Sequence, residues 1–146
     1  MPANSNFIIE TTQAISDLQV LDLLCCGFEG HITYWCAGVS VEQLPDGTTM
    51  DDFRQGGSMQ TKGNHFHWMQ LVPVCGGVLR ITTWDEDEDG NQISYLLGRE
   101  QLALGLERMS QHCEYQWRTF LSENTDAETG DVFIQCCLFE GGPIYG

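Results

Sequence analysis

Residues 21–40 read LDLLCCGFEGHITYWCAGVS. Up to Gly27 the apolar residues recur at helical spacing, and the chain then turns through Glu29-Gly30. From His31 the period changes to two, with Thr33, Trp35, Ala37, Val39 and Val41 on one side and Ile32, Tyr34, Cys36 and Gly38 on the other. A 3.6-residue period that gives way so abruptly to a period of two predicts a helix running into a strand, and hence the α+β class. Both strand faces are fairly apolar, which predicts cover on both, by a helix on one and by something else, such as a second copy of the chain, on the other.

Upstream of this junction, Ser16-Asp17-Leu18-Gln19 matches a capping box, so the helix should begin there. Leu18, Leu21, Cys25 and Phe28, widened by Val20 and Leu24, form its buried stripe, and Gly27 with Gly30 is expected to end it. Residues 1–12 are polar around a short FII patch and read as an arm or a loose terminus.

Downstream, residues 42–64 are rich in Asp, Gly, Thr and Gln and lack periodicity, which predicts a long loop of the kind that carries function. A strand is expected from about His65 to Cys75, with Gly76-Gly77 as a hairpin turn and Val78 to Trp84 as the return strand. The acidic tip Asp85 to Asn91 then leads into Gln92 to Leu97. Helical spacing returns near Arg99 to His112, around Tyr115 to Leu121, and after Asp126. The expectation is a single α+β domain over residues 1–146: one N-terminal helix, about four antiparallel strands, and two to three C-terminal helices packed on one sheet face.

Composition agrees with a folded chain. A 146-residue domain buries about 70 % of its unfolded surface, and 42 % apolar content is too high for a disordered tail. The charge is lopsided: 21 acidic residues against 6 basic ones leave a formal −15. A field of that sign repels phosphate backbones and attracts basic protein surfaces, which argues against direct nucleic-acid binding. The seven cysteines show no disulfide-framework spacing and read as reduced core residues. Met1 to Asn6 lacks the basic start of a signal peptide, and no apolar run approaches the roughly 20 residues of a bilayer span, so neither secretion nor a membrane partner is expected.

Candidate chemistry is sparse. Asp85-x-Asp87-x-Asp89-Gly90 copies the first half of a calcium loop, but the twelfth position is Leu96 and the flanks read as strands. His65 and His67 share a strand face in this reading, yet no second pair at ligand spacing completes a zinc site from Cys36, Cys75 or His31. No metal and no cofactor is therefore expected. The P-loop, G-x-S-x-G and G-x-G-x-x-G patterns are absent, and the chain does not read as an enzyme. Tyr34, Trp35, Trp68 and Trp84, with Arg54 and Arg80 nearby in the pattern, are candidates for a stacking pocket, with Tyr34, Trp35 and Trp68 at its centre, set against the plainer reading of aromatic sheet faces under helices. The acidic tip Asp85, Glu86, Asp87, Glu88 and Asp89, together with Asp51 and Asp52 of the long loop, is the candidate partner-binding surface.

Two stretches carry a resemblance: Phe28-Glu29-Gly30-His31-Ile32-Thr33-Tyr34-Trp35-Cys36, and Asp126 to Gln135 with Leu138-Phe139 and the closing Ile144-Tyr145-Gly146. In these the chain resembles a group of small uncharacterised proteins of tailed phages and prophages, in which a leucine-rich helix meets an Glu-Gly-Gly turn and a Tyr-Trp pair. His31 here replaces the second Gly, and Phe139 to Pro143 lengthens the closing turn. The resemblance implies a phage-encoded protein acting in the cytoplasm of an infected bacterium and brings no catalytic residue with it. Combined with the charge, it leads to the expectation of an anti-CRISPR-like inhibitor that binds a host defence protein through an acidic, nucleic-acid-mimicking surface. The alternatives are a protein that sequesters a nucleotide-derived immune signal in the aromatic pocket, and a phage accessory or structural protein.

Overall fold

Ser16 opens the first helix. Its hydroxyl oxygen accepts from the Gln19 amide at 3.2 Å, and the Gln19 side chain accepts from the Ser16 amide at 2.9 Å. The computed structural model describes residues 12–30, 32–54 and 68–146, and within them this helix, α1, spans Asp17–Phe28. Gly27 does not end α1. It sits inside the helix, at the crossing with the C-terminal helix α6 (Ala127–Leu138), where a Cβ on Gly130 would lie 2.2 Å from the Gly27 nitrogen and 2.6 Å from the Leu23 oxygen. The glycines read as terminators are therefore small residues that let two helix backbones touch, and Gly30 meets Ala127 in the same way.

After α1 a 3-10 turn at Ile32–Tyr34 precedes strand β1, Cys36–Gln43, so the strand starts later than its alternation predicts. The chain then forms α2 (Met50–Arg54), α3 (Trp68–Val74), β2 (Val78–Glu86) and β3 (Gln92–Gly98). The sheet order is β1-β2-β3, antiparallel throughout, with Ser40 opposite Arg80 and Arg80 opposite Leu96. Leu79, Ile81 and Leu97 face inward, where α3, α4 (Arg99–His112) and α6 pack. Gly38, Ser40, Glu42 and Leu96 are exposed on the outer face, so the second cover expected for β1 is not supplied by the described residues.

Among the described residues there are three strands, not about four. The segment read as a strand from His65 to Cys75 is helical from Trp68 to Val74, while residues 65–67 lie outside the described part. Gln70, Leu71, Val72 and Val74 are all buried, and a short run buried on every side lacks the polar alternation that separates helix from strand. The Gly76-Gly77 pair misled for a related reason. It closes α3 as a helix stop, with the Gly77 amide on the Val72 oxygen at 2.8 Å, the Gly76 amide on the Pro73 oxygen at 3.3 Å, and Gly76 at φ +100°. A tight hairpin and this stop demand the same positive φ from the same residue.

The last third follows its pattern: α4, then α5 (Glu114–Leu121), then α6, whose first amides are capped by Asp126. The Asp126 carboxylate accepts from the Thr129 amide and hydroxyl at 2.8 and 2.7 Å, and these bonds hold its pKa below the usual value. α6 is the centre of the helical layer, packed on α1 to one side and α4 to the other, with Phe133, Ile134 and Cys136 fully buried. Most of the cysteines are core or half-buried residues as expected, and burial pushes the thiols of Cys25 and Cys136 up to about 12; Cys75 is exposed. No helix among the described residues is long and apolar enough to cross a membrane.

Candidate interaction surface

Residues 28–36 and 126–145 meet in space. Asp131 on α6 accepts from the Tyr34 hydroxyl at 2.7 Å through one carboxylate oxygen, and from the Trp35 indole N–H at 2.8 Å and the Gln135 side-chain amide at 2.9 Å through the other. One turn on, the Gln135 carbonyl accepts from the backbone amides of Ile144 and Tyr145 at 2.9 and 2.8 Å, while its amide donates to the Tyr145 oxygen at 3.1 Å. The Gln135 side chain thus holds the chain end as a neighbouring strand would. Tyr145 lies flat on Trp35, with centroids 5.4 Å apart and planes 3° apart, and Phe139 sets its edge against both.

This arrangement corrects the aromatic-pocket expectation. Trp35 is 1 % exposed, with one face covered by Tyr145, and has no free surface for a ligand. Tyr34 is half exposed and lines an open cleft with Ala127, Glu128 and Asp131, but its hydroxyl is bonded to Asp131. The Trp68 side chain lies outside the described residues. What brings Tyr34 and Trp35 to α6 is the sharp 3-10 turn after α1 combined with the close α1–α6 crossing.

The network has a titration signature. Burial, and then the bond and charge of Asp131, push the Tyr34 hydroxyl up to about 12; burial, and then Asp85, do the same for Tyr145. In the unfolded chain both ionise near 10. Their contribution to stability should be complete below pH 10 and lost as pH rises through about 12. A spectrophotometric titration at the tyrosinate band should therefore show Tyr34 and Tyr145 ionising late in the wild type, and earlier, though still above an unburied tyrosine, in an Asp131→Asn, Asp85→Asn double variant that loses the carboxylate charge but keeps the burial.

The acidic tip joins β2 to β3. The two strands lose register between Thr82 and Glu86, and the bulge places the Trp84 indole N–H on the Thr33 oxygen at 2.8 Å and the Asp85 carboxylate on the Tyr145 hydroxyl. At the turn itself, one Asp87 carboxylate oxygen accepts from the backbone amides of Asp89 and Asn91 at 2.9 and 3.0 Å, and Gly90 takes φ +81°. Two of the five tip carboxylates are thus structural: Asp85 fastens the chain end and Asp87 builds the turn. Glu86, Glu88 and Asp89 are exposed, and their carboxylates carry no hydrogen bond or ion pair within the described residues. Trp84 stands beside them at 57 % exposure.

The ion pairs found among the described residues do not involve this tip. Arg80 forms a two-point pair with Glu42 at 3.0 Å, Arg99 reaches Asp17 at 2.9 Å and the Val74 oxygen at 2.6 Å, Arg108 donates to the Cys136 oxygen at 3.0 Å, and Arg118 pairs with Glu114. Asp51 and Asp52 belong to α2, where Asp52 accepts from the Thr49 amide at 2.7 Å as a local cap and Asp51 is exposed. β1 begins opposite Thr83, near the tip, and leaves the sheet opposite Val78 at the far end, so the chain runs away from the tip before it reaches α2. The structure therefore does not gather the two acidic segments into one cluster. Among the described residues no group of three or more His, Cys, Asp or Glu is placed to hold a metal ion; His31, His65 and His67 lie outside them.

Reading the sequence alone missed Asp131, Gln135 and Tyr145, whose roles appear only when the ends of the chain meet. It also missed the structural work of Asp87, for which Asp-x-x-Gly at a hairpin tip is a legible signal. No family model, curated protein or solved structure matches this chain.

Proposed function

We propose that this chain is a phage-encoded, non-enzymatic inhibitor that binds a basic surface of a host defence protein, acting in the bacterial cytoplasm. The observation that carries this reading is the hairpin tip: the carboxylates of Glu86, Glu88 and Asp89, without an ion pair among the described residues, project beside the exposed ring of Trp84, on a chain whose formal charge is −15. Carboxylates held at a rigid turn occupy the place of phosphates against a nucleic-acid-binding groove, and an adjacent indole supplies the apolar anchor that charge alone does not. The tip is also rigidly mounted, because its base is tied to the turn after α1 by Trp84 and to the chain end by Asp85. Ordering of the tip therefore adds little to the cost of binding.

The test separates the free carboxylates from the structural ones. A Glu86→Gln, Glu88→Gln, Asp89→Asn variant keeps Asp85 and Asp87 in place, so its melting temperature should equal or exceed that of the wild type as like-charge repulsion falls. Its association rate with the target should drop about tenfold at low ionic strength, and the salt dependence of that rate should flatten, both read by stopped flow. Trp84→Ala should act instead on the dissociation rate. An unchanged rate and salt slope in the triple variant would remove the tip from the interface.

A further inference from the structure

Two cysteines that stand 23 positions apart in the sequence meet in the helical layer, with the Cys113 Sγ 3.9 Å from the Cys136 Sγ. Both are free thiols, and they differ in access: Cys136 is fully buried on α6, whereas Cys113 is half-buried at the junction of α4 and α5. The Cys113 backbone is pinned on both sides, since its amide donates to the Met109 oxygen at 2.9 Å and its oxygen accepts from the Trp117 amide at 2.9 Å. Its sulfur is left to move by turning about χ1. Arg108 attends the pair, donating to the Cys136 oxygen at 3.0 Å, and its positive charge favours a thiolate at Cys136. Burial and the neighbouring Cys113 outweigh that charge and push the Cys136 thiol up to about 12, so Cys136 keeps its proton at neutral pH.

We infer that Cys113 and Cys136 form a redox-closed site, in which a peroxide joins the two sulfurs and locks α6 to the α4–α5 junction. To reach the disulfide length the sulfurs must approach by roughly 1.9 Å, less than a change of χ1 rotamer moves a thiol. Cys113 reacts first, because it is the one that solvent reaches. Its thiolate attacks one peroxide oxygen, an S–O bond forms, the O–O bond breaks, and the hydroxide that leaves takes up the proton Cys113 gave up. The sulfur is oxidised by two electrons and the peroxide is reduced. Cys136 then attacks the Cys113 sulfur, an S–S bond forms, the S–O bond breaks, and the departing hydroxide takes the Cys136 proton to become a second water. Two thiols and one peroxide give one disulfide and two waters. In a reducing compartment such a bond is transient and reports the redox state. The site shares no residue with the acidic tip and stands whether or not the tip has a partner.

The experiment treats the folded full chain with excess hydrogen peroxide at neutral pH, then quenches, unfolds and alkylates it, and records the whole mass and a peptide map. The wild type should lose the mass of two hydrogen atoms, with Cys113 linked to Cys136, and should recover both thiols under dithiothreitol. The linked form should melt about 5 °C or more above the reduced one. Cys75→Ser, which removes the exposed thiol, should close equally fast. Cys113→Ser should gain no thermal stability from peroxide, and Cys136→Ala should stop at a Cys113 sulfenic acid that dimedone traps. In strong urea, where nothing holds the sulfurs together, the link should form about tenfold more slowly or worse. Cys136 left alkylatable in the peroxide-treated wild type, a link that forms as fast in urea as in the folded chain, or a linked form that melts no higher than the reduced one would overturn the proposal.

Discussion

Gly130→Ala should destabilise the protein by about 3 kcal/mol or more, the largest loss expected from adding a single methyl group at any of the described glycines. The added Cβ would lie 2.2 Å from the Gly27 nitrogen and 2.6 Å from the Leu23 oxygen, both backbone atoms that no rotamer change can move aside. Relief requires α1 and α6 to separate, which would loosen the packing of Leu23, Phe133 and Ile134 along their shared core. Gly38→Ala is the matched control: the same methyl group on the open face of β1 meets nothing within 4 Å, and its effect should stay within about 0.5 kcal/mol of zero. Urea denaturation of the two variants checks both, and a loss of less than 1 kcal/mol for Gly130→Ala would show that the helices do not cross at these glycines.

Gln135→Leu should cost about 2–4 kcal/mol, because it strands several partners at once. The amides of Ile144 and Tyr145 lose their acceptor, and the Tyr145 oxygen and Asp131 lose a donor, all around a glutamine that is itself 1 % exposed. Release of the chain end would also uncover one face of Trp35. Two measurements should move together. Carboxypeptidase should remove Gly146 and Tyr145 much faster than in wild type, and tryptophan fluorescence should shift to the red. A destabilised variant that still resisted carboxypeptidase would mean that Tyr145 is held by Trp35 and Asp85 alone.

Phe28 to Cys36 and Asp126 to Tyr145 are one structural module, made of the α1–α6 crossing and the Asp131–Gln135 network. Sequence periodicity could not display this module. Tyr34 and Trp35 reach Asp131 across 97 and 96 positions, and no spacing rule connects residues so far apart.

Other parts were legible because their signals are local. The Ser16–Gln19 capping box, the Arg99–His112 helix and the acidic hairpin tip each depend on neighbours within a few positions, and all three stand where the pattern places them. The fourth strand failed where local signals are ambiguous, since an apolar run buried all round followed by Gly-Gly suits both a hairpin and a capped helix. The candidate site was half legible. The carboxylates of the tip could be named from the sequence, but the division of labour among them could not, because Asp85 owes its role to Tyr145, 60 positions away.

Recognition of a basic defence protein by the free tip carboxylates is tested by a phage-challenge assay. Bacteria carrying a panel of nuclease-based defences would express the wild type, the Glu86→Gln, Glu88→Gln, Asp89→Asn variant, or nothing, and plaque numbers would be compared. The wild type should restore plating against at least one of these defences, and the triple variant, equally abundant and no less stable, should restore at least tenfold less. Equal rescue by the two proteins, or no rescue by the wild type against any of the nucleases, would contradict it.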